Sequence, residues 1–211
     1  MTLPRVYPVV DSAEWVGRLL PLGVRLIQLR IKTGPDAEVR FTEAEVRSEV
    51  RKARTMCSRA GAQLIVNDHW WLAMGEGCDF VHLGQGDLDG ADVPALRKAG
   101  IRIGISTHDD TELARALALQ PDYVALGPIY PTALKVMPWP PQGLERITQW
   151  KRRVGNIPLV AIGGLTVERL PGVFAAGADS AAVVTDIVRN SDPEQRTREW
   201  LAAATHCSSQ S

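Results

Sequence analysis

Two carboxylates and three cations carry the strongest chemical signal in this 211-residue sequence. Asp68 closes the phrase LIVND and Asp87 the phrase LGQGD, each just after a short apolar run. Two carboxylates from neighbouring loops can hold one hard divalent cation such as Mg²⁺, which takes one or two carboxylates and fills its shell with water and phosphate oxygens. Arg30 and Lys32 in QLRIK, with Lys135 in a Pro-rich stretch, exceed the positive charge those carboxylates require. That surplus reads as a clamp for a diphosphate. Gly163–Gly164 in AIGGLT and the backbone after the apolar run 181–184 match a phosphate site made of main-chain N–H groups. The set reads as a site for two phosphorylated small molecules, one of them metal-bound.

These residues are scattered over more than a hundred positions, so the fold must gather them. Eight short apolar runs recur: 6–10, 26–31, 64–66, 80–83, 101–105, 123–126, 159–162 and 181–184. They are mostly continuous rather than alternating, as in parallel strands buried on both faces. Helical spacing appears between them over 13–22, 42–60, 111–119, 144–154 and 194–204, with Thr42 and Glu45 in capping-box register. Gly23, Gly61, Gly77, Gly100 and Gly177 stand where a helix hands over to a strand. Eight such units at about 26 residues each fit a small (β/α)₈ TIM barrel. An open doubly wound sheet normally uses five or six strands, so eight runs favour closure. The expectation is an α/β single-domain barrel over residues 1–207, with a frayed Ser-rich tail at 208–211.

In a barrel the active site lies at the C-terminal ends of the strands. Gln28, Arg30 and Lys32 would meet there with Asn67–Asp68, the Gly84–Asp87 turn, Ser106–Thr107–His108, Thr132, Lys135, Gly163–Gly164 and Val184–Asp186. Each group has a plainer reading. Arg30 and Lys32 can pair structurally with Asp68 inside the barrel, Asn67–Asp68 can cap the next helix, and Gly84–Asp87 can be only a turn. His82 sits within an apolar run and reads as a core histidine. His108-Asp109-Asp110 opens a helix, where acids suit the dipole. Trp70–Trp71 read as packing for one helix.

Composition removes other classes. Lys+Arg and Asp+Glu number 24 each, so no basic excess exists to neutralise a polyphosphate backbone, and nucleic-acid binding is disfavoured. No uninterrupted apolar stretch of about 20 residues or signal-peptide pattern occurs, which leaves no membrane partner. Cys57, Cys78 and Cys207 are odd in number and widely spaced, against a disulfide framework or zinc knuckle. A cytoplasmic protein is expected.

Together the motifs resemble the thiamine-phosphate synthase family. The matching phrases are YPVVD (7–11), QLRIK (28–32), ND (67–68), VHLGQGDL (81–88), GISTHDD (104–110), GPIYPT (127–132), Lys135, AIGG (161–164) and AVVTDI (182–187), in family order over roughly residues 6 to 190. The resemblance implies a transferase that condenses a hydroxymethylpyrimidine diphosphate with a thiazole phosphate, releasing diphosphate. It implies that Gln28, Leu29, Arg30, Ile31, Lys32, Asn67, Ser106 and Lys135 bind the pyrimidine diphosphate, with Arg30, Lys32 and Lys135 catalytic. Asp68 and Asp87 would hold one Mg²⁺ per site, and Thr132, Ala133, Leu134, Gly163, Val183 and Val184 the thiazole phosphate. Leu134 departs from the family's usual Thr-x-Thr-Lys, which removes one hydroxyl from the phosphate side. Asp186 is a negative charge near a phosphate site for which the sequence offers no reason. The rivals are a thiazole tautomerase of the same barrel type, a sugar-phosphate epimerase or isomerase, and a silent thiamine-precursor binding protein. The intact set of Asn67, Asp68, Asp87 and Lys135 argues against the tautomerase, and Leu134 is the feature that favours the binding protein.

Overall fold

All eight apolar runs become parallel strands in a computed structural model, which describes residues 2–33, 41–132 and 139–208. They are β1 (Val6–Val10), β2 (Leu26–Leu29), β3 (Gln63–Asn67), β4 (Phe80–Leu83), β5 (Arg102–Thr107), β6 (Tyr123–Leu126), β7 (Leu159–Ile162) and β8 (Ser180–Val183). Each pairs with its sequence neighbours, and β1 pairs with β8 to close the barrel. The helices are α1 (Ala13–Leu19), α2 (Glu43–Ala60), α3 (Trp70–Gly75), α4 (Val93–Lys98), α5 (Asp110–Ala118), α6 (Gly143–Val154), α7 (Leu170–Ala175), α8 (Thr185–Val188) and α9 (Pro193–Ser208).

Closure explains why the runs are continuous: every strand is covered on both faces. Residues such as Ile27, Leu29, Val81, Leu83, Ile103 and Ile105 point outward into a layer shared with the helices. Tyr7, Val9, Leu26, Ile65, Phe80, Tyr123, Ala125, Val160 and Ala182 fill the barrel interior. Helix α2 starts as its sequence dictates. The Thr42 hydroxyl accepts from the Glu45 N–H at 3.3 Å, and the Glu45 carboxylate accepts from the Thr42 N–H at 2.7 Å. The helices absent from the periodicity reading, α3, α4, α7 and α8, are four to six residues long, too short to display a repeat. Trp70 packs against the core as expected, whereas Trp71 is 42% exposed.

Candidate active site

The strand ends bring the two carboxylates together. Asn67 ends β3 and is buried, and Asp68 follows with a left-handed backbone, φ 59°. The first turn of α3 is capped by His69 without a side-chain bond, so capping is not the task of the Asp68 carboxyl. That carboxyl instead lies within hydrogen-bonding reach of Asp87. Asp87 is aimed by its own turn, since one of its oxygens accepts from the Gly84 N–H at 3.1 Å. Burial, and then the neighbouring Asp87 charge, push the Asp68 carboxyl well above the usual carboxylate range. The Arg30 charge and an Asn67 hydrogen bond pull it partly back. A divalent cation shared by the two carboxylates would remove the repulsion, and an all-oxygen donor set suits Mg²⁺. No group of three or more His, Cys, Asp or Glu that could hold a metal occurs among the described residues, so other ligands would be water and substrate.

Arg30 leaves the end of β2 within electrostatic reach of this pair, and Lys32 follows two residues on. The Arg30 N–H donates to the Val10 carbonyl at 2.7 Å, fixing the chain at the strand exit. The Ile31 carbonyl between them bonds a ring nitrogen of His69 at 2.9 Å, tying the cationic arm to the segment that carries Asp68. Among the described residues neither Arg30 nor Lys32 forms a salt bridge, and Arg30 acts on Asp68 through its charge rather than through a direct ion pair. Arg30 is half-buried and Lys32 exposed. Lys135, Ala133 and Leu134 lie outside the described residues.

A buried polar chain crosses the barrel beneath the mouth. Gln28 Nε2 donates to the Tyr7 hydroxyl at 2.7 Å, which meets the Tyr123 hydroxyl at 2.8 Å. Tyr123 reaches His82 Nδ1 at 2.6 Å, and His82 Nε2 reaches Ser106 Oγ at 2.8 Å. Burial, with the Arg30 and then the His108 charges, drives the His82 pKa down to about 3, so the ring is neutral. Burial raises both tyrosines above their ordinary value. Each link then carries one proton, and the neutral imidazole donates at one ring nitrogen and accepts at the other. His82 is thus a satisfied core histidine, as its setting in an apolar run implies, yet it connects two of the expected ligand residues. Its partners Tyr7 and Tyr123 were not singled out from sequence. The available signal was a single polar side chain standing in or just after each of five otherwise apolar runs.

The other half of the mouth is main chain. Residues 127–132 fold over the end of β7, with Ile129 N–H donating to Ile162 at 2.9 Å and Tyr130 N–H to Gly163 at 3.0 Å. Gly163 and Gly164 have φ of 98° and 63°, and a Cβ on Gly164 would stand 2.5 Å from the Pro131 carbonyl oxygen. These glycines are needed for packing whether or not an anion binds. Thr132 is half-buried at this edge, and Val183 ends β8 with Val184 following as the N-cap of α8.

Three expected neighbours turn elsewhere. The Thr107 hydroxyl is fully buried on the outer side, accepting from Trp150 Nε1 at 2.9 Å and donating to Ala125 at 3.0 Å. His108 pairs with Glu112 at 2.7 Å and stacks on Trp139 with centroids 4.0 Å apart, while Asp109 caps α5. Asp186 faces α9, not the mouth: it accepts from Arg196 Nε at 2.9 Å and from Trp200 Nε1 at 2.7 Å. Two clefts of about 200 and 280 Å³ lie at the opposite, N-terminal ends of the strands and share no residue with this set.

Comparison with known proteins gives the family and the fold. The family described as thiamine monophosphate synthase matches residues 6–187. A thiamine-phosphate synthase of Rhizobium etli is 61% identical over 203 residues, covering 96% of both chains. The thiamine-phosphate synthase of Salmonella typhimurium is 48% identical over 199 residues, covering 94% of this chain and 91% of its own. The thiamine phosphate pyrophosphorylase from Pyrococcus furiosus superposes with a TM-score of 0.81 at 25% identity, covering 96% of each chain.

Proposed function

The chain belongs to the thiamine monophosphate synthase family and its activity is that of a thiamine-phosphate synthase, a transferase; we propose that the mouth described above joins a pyrimidinylmethyl diphosphate to a thiazole phosphate, with diphosphate departing. The observation that carries this reading is the meeting of Asp68 and Asp87 within reach of the Arg30 charge, with neither Arg30 nor Lys32 in a salt bridge among the described residues. That arrangement has excess capacity for polyphosphate oxygen and offers no activated nucleophile. The tautomerase and silent-binder readings are not favoured, since relatives of high identity over nearly the whole chain are synthases.

The reaction asks little covalent chemistry of the protein. An aminopyrimidine ring stabilises the cation that develops as its methylene–oxygen bond breaks, so the protein's tasks are charge neutralisation and alignment. Asp68 and Asp87 would hold Mg²⁺, which when bound offsets the charge of the departing diphosphate. Arg30 and Lys32 line the same opening and, with Lys135, would bind the remaining phosphate oxygens. Gln28 and Ser106, fixed by the buried chain between them, would orient the pyrimidine. Thr132 and the backbone of Gly163, Val183 and Val184, flanked by Ala133 and Leu134, would hold the thiazole phosphate so that the ring nitrogen attacks in line. Leu134 supplies no hydroxyl there, which weakens that subsite without removing it. Location is read from composition alone as cytoplasmic. No helix among the described residues is long and apolar enough to cross a membrane.

Asp68→Ala and Lys135→Ala should each lower turnover by at least about a thousandfold while leaving the circular dichroism spectrum unchanged. Near-normal turnover in both would overturn the site assignment.

A further inference from the structure

We propose that Arg196 is a positioning residue for the phosphate subsite, holding the loops after β7 and β8 at a fixed spacing from behind through Glu168 and Asp186. The inference rests on the reading of those loops as the thiazole-phosphate site. Arg196 lies on α9, and its side chain is only 16% exposed. Its Nε and one terminal nitrogen bind the two Asp186 oxygens at 2.9 and 3.2 Å. That same terminal nitrogen reaches the two Glu168 oxygens at 3.0 and 3.1 Å, and the other binds Glu199 at 2.9 Å.

The two carboxylates belong to different loops. Asp186 stands two residues beyond Val184, at the start of α8. Glu168 stands four residues beyond Gly164, in the 3-10 turn Val167–Arg169. The turn is itself tied to the glycines, because Arg169 donates to the Gly164 carbonyl and lies 4.2 Å from the Tyr130 ring centroid. An unbroken path therefore runs from Val184 through Asp186, Arg196, Glu168 and Arg169 to Gly164. Trp200, fully buried on the same helix, donates to Asp186 at 2.7 Å and anchors the path to the core.

This accounts for the negative charge that the sequence left without a reason. Asp186 is 15% exposed and saturated by Arg196 and Trp200, so it presents no charge to a bound phosphate. Losing Arg196 would release the loops and leave a carboxylate with one neutral donor near an anion site. Both effects act on the thiazole phosphate and neither on the pyrimidine side. The Asp186 leg is the stronger, since Glu168 is 67% exposed and its pair is screened.

The test is steady-state kinetics with each substrate varied separately, on Arg196→Met, Arg196→Lys, Glu168→Gln and Thr132→Val. Arg196→Met should raise KM for thiazole phosphate about tenfold, with KM for the pyrimidine diphosphate and kcat within about twofold. Arg196→Lys should recover part of the loss, and Arg196→Met/Asp186→Asn should recover the share due to charge. If Arg196→Met does not fold, the exposed Glu168→Gln decides, with an expected rise of about two- to threefold in the thiazole KM alone. A merely structural role would lower the melting temperature and move both KM values together, and that result overturns the proposal. A raised thiazole KM in Thr132→Val with none in the Arg196 and Glu168 variants would overturn it while the subsite reading stands. No thiazole effect in any variant would overturn both.

Discussion

Between β2 and β5 the mouth is furnished by side chains: Arg30 and Lys32, the Asp68–Asp87 pair, and the chain from Gln28 to Ser106. Between β6 and β8 it is furnished by main chain: residues 127–132 folded onto Gly163–Gly164, and the turn out of β8. The first half is held from within, by hydrogen bonds that cross the barrel interior. The second has few polar side chains of its own and is braced from outside, by Arg169 and Arg196. A site made of side chains can be disarmed one residue at a time. A site made of backbone fails only when its curvature or its bracing changes.

The comparison predicts that damage stays on its own side. Gly104→Ala should have the largest effect in the interior, because a Cβ there would sit 2.1 Å from the Tyr123 ring. Overpacking of this kind costs about 3 kcal/mol; thermal unfolding should show it, and the pyrimidine KM should rise while the thiazole KM holds. Gly164→Ala should come next, at about 2 kcal/mol for a left-handed alanine crowding Pro131, with the thiazole KM alone affected. A rise in both KM values for either variant would break the division. Tyr123→Phe should cost about 1–2 kcal/mol, since it interrupts the chain and takes one of two hydrogen-bond partners from each of Tyr7 and His82.

The last effect is a slope rather than a fixed loss. His82 titrates near 3 when folded and near its ordinary value of 6.5 when unfolded. Below the ordinary value the unfolded chain takes up a proton that the folded one refuses. The contribution is therefore complete above about pH 6.5 and is lost as pH falls toward 3, by at most about 1.4 kcal/mol per pH unit. His82→Gln should flatten that limb of stability against pH, measured by urea unfolding; an unchanged slope would mean that the ring is charged in the fold.

These two halves were unequally legible in the sequence. The strands were readable because closure buries both faces, which writes each strand as a continuous apolar run. Asp68, Asp87, Arg30 and Lys32 were readable because charged residues just after such runs have few structural reasons to be there. The left-handed turn that aims Asp68 leaves no mark on composition. The interior chain joins five strands over separations of up to 116 residues, and only the barrel's register puts its hydroxyls in line. The backbone half showed only glycines, which any strand-to-helix turn can use. Asp186 looked like a charge in the wrong place because its partners, Arg196 and Trp200, lie ten and fourteen residues further on, on a helix whose inward face the sequence does not reveal.

The central claim is that one mouth takes two phosphorylated substrates and releases diphosphate with a divalent cation. It is tested most directly by diphosphate release from the purified protein, with each substrate and Mg²⁺ omitted in turn. The account predicts release only when all three are present, with thiamine phosphate formed in equal amount. Release without the thiazole phosphate, or no release with all three, would contradict it.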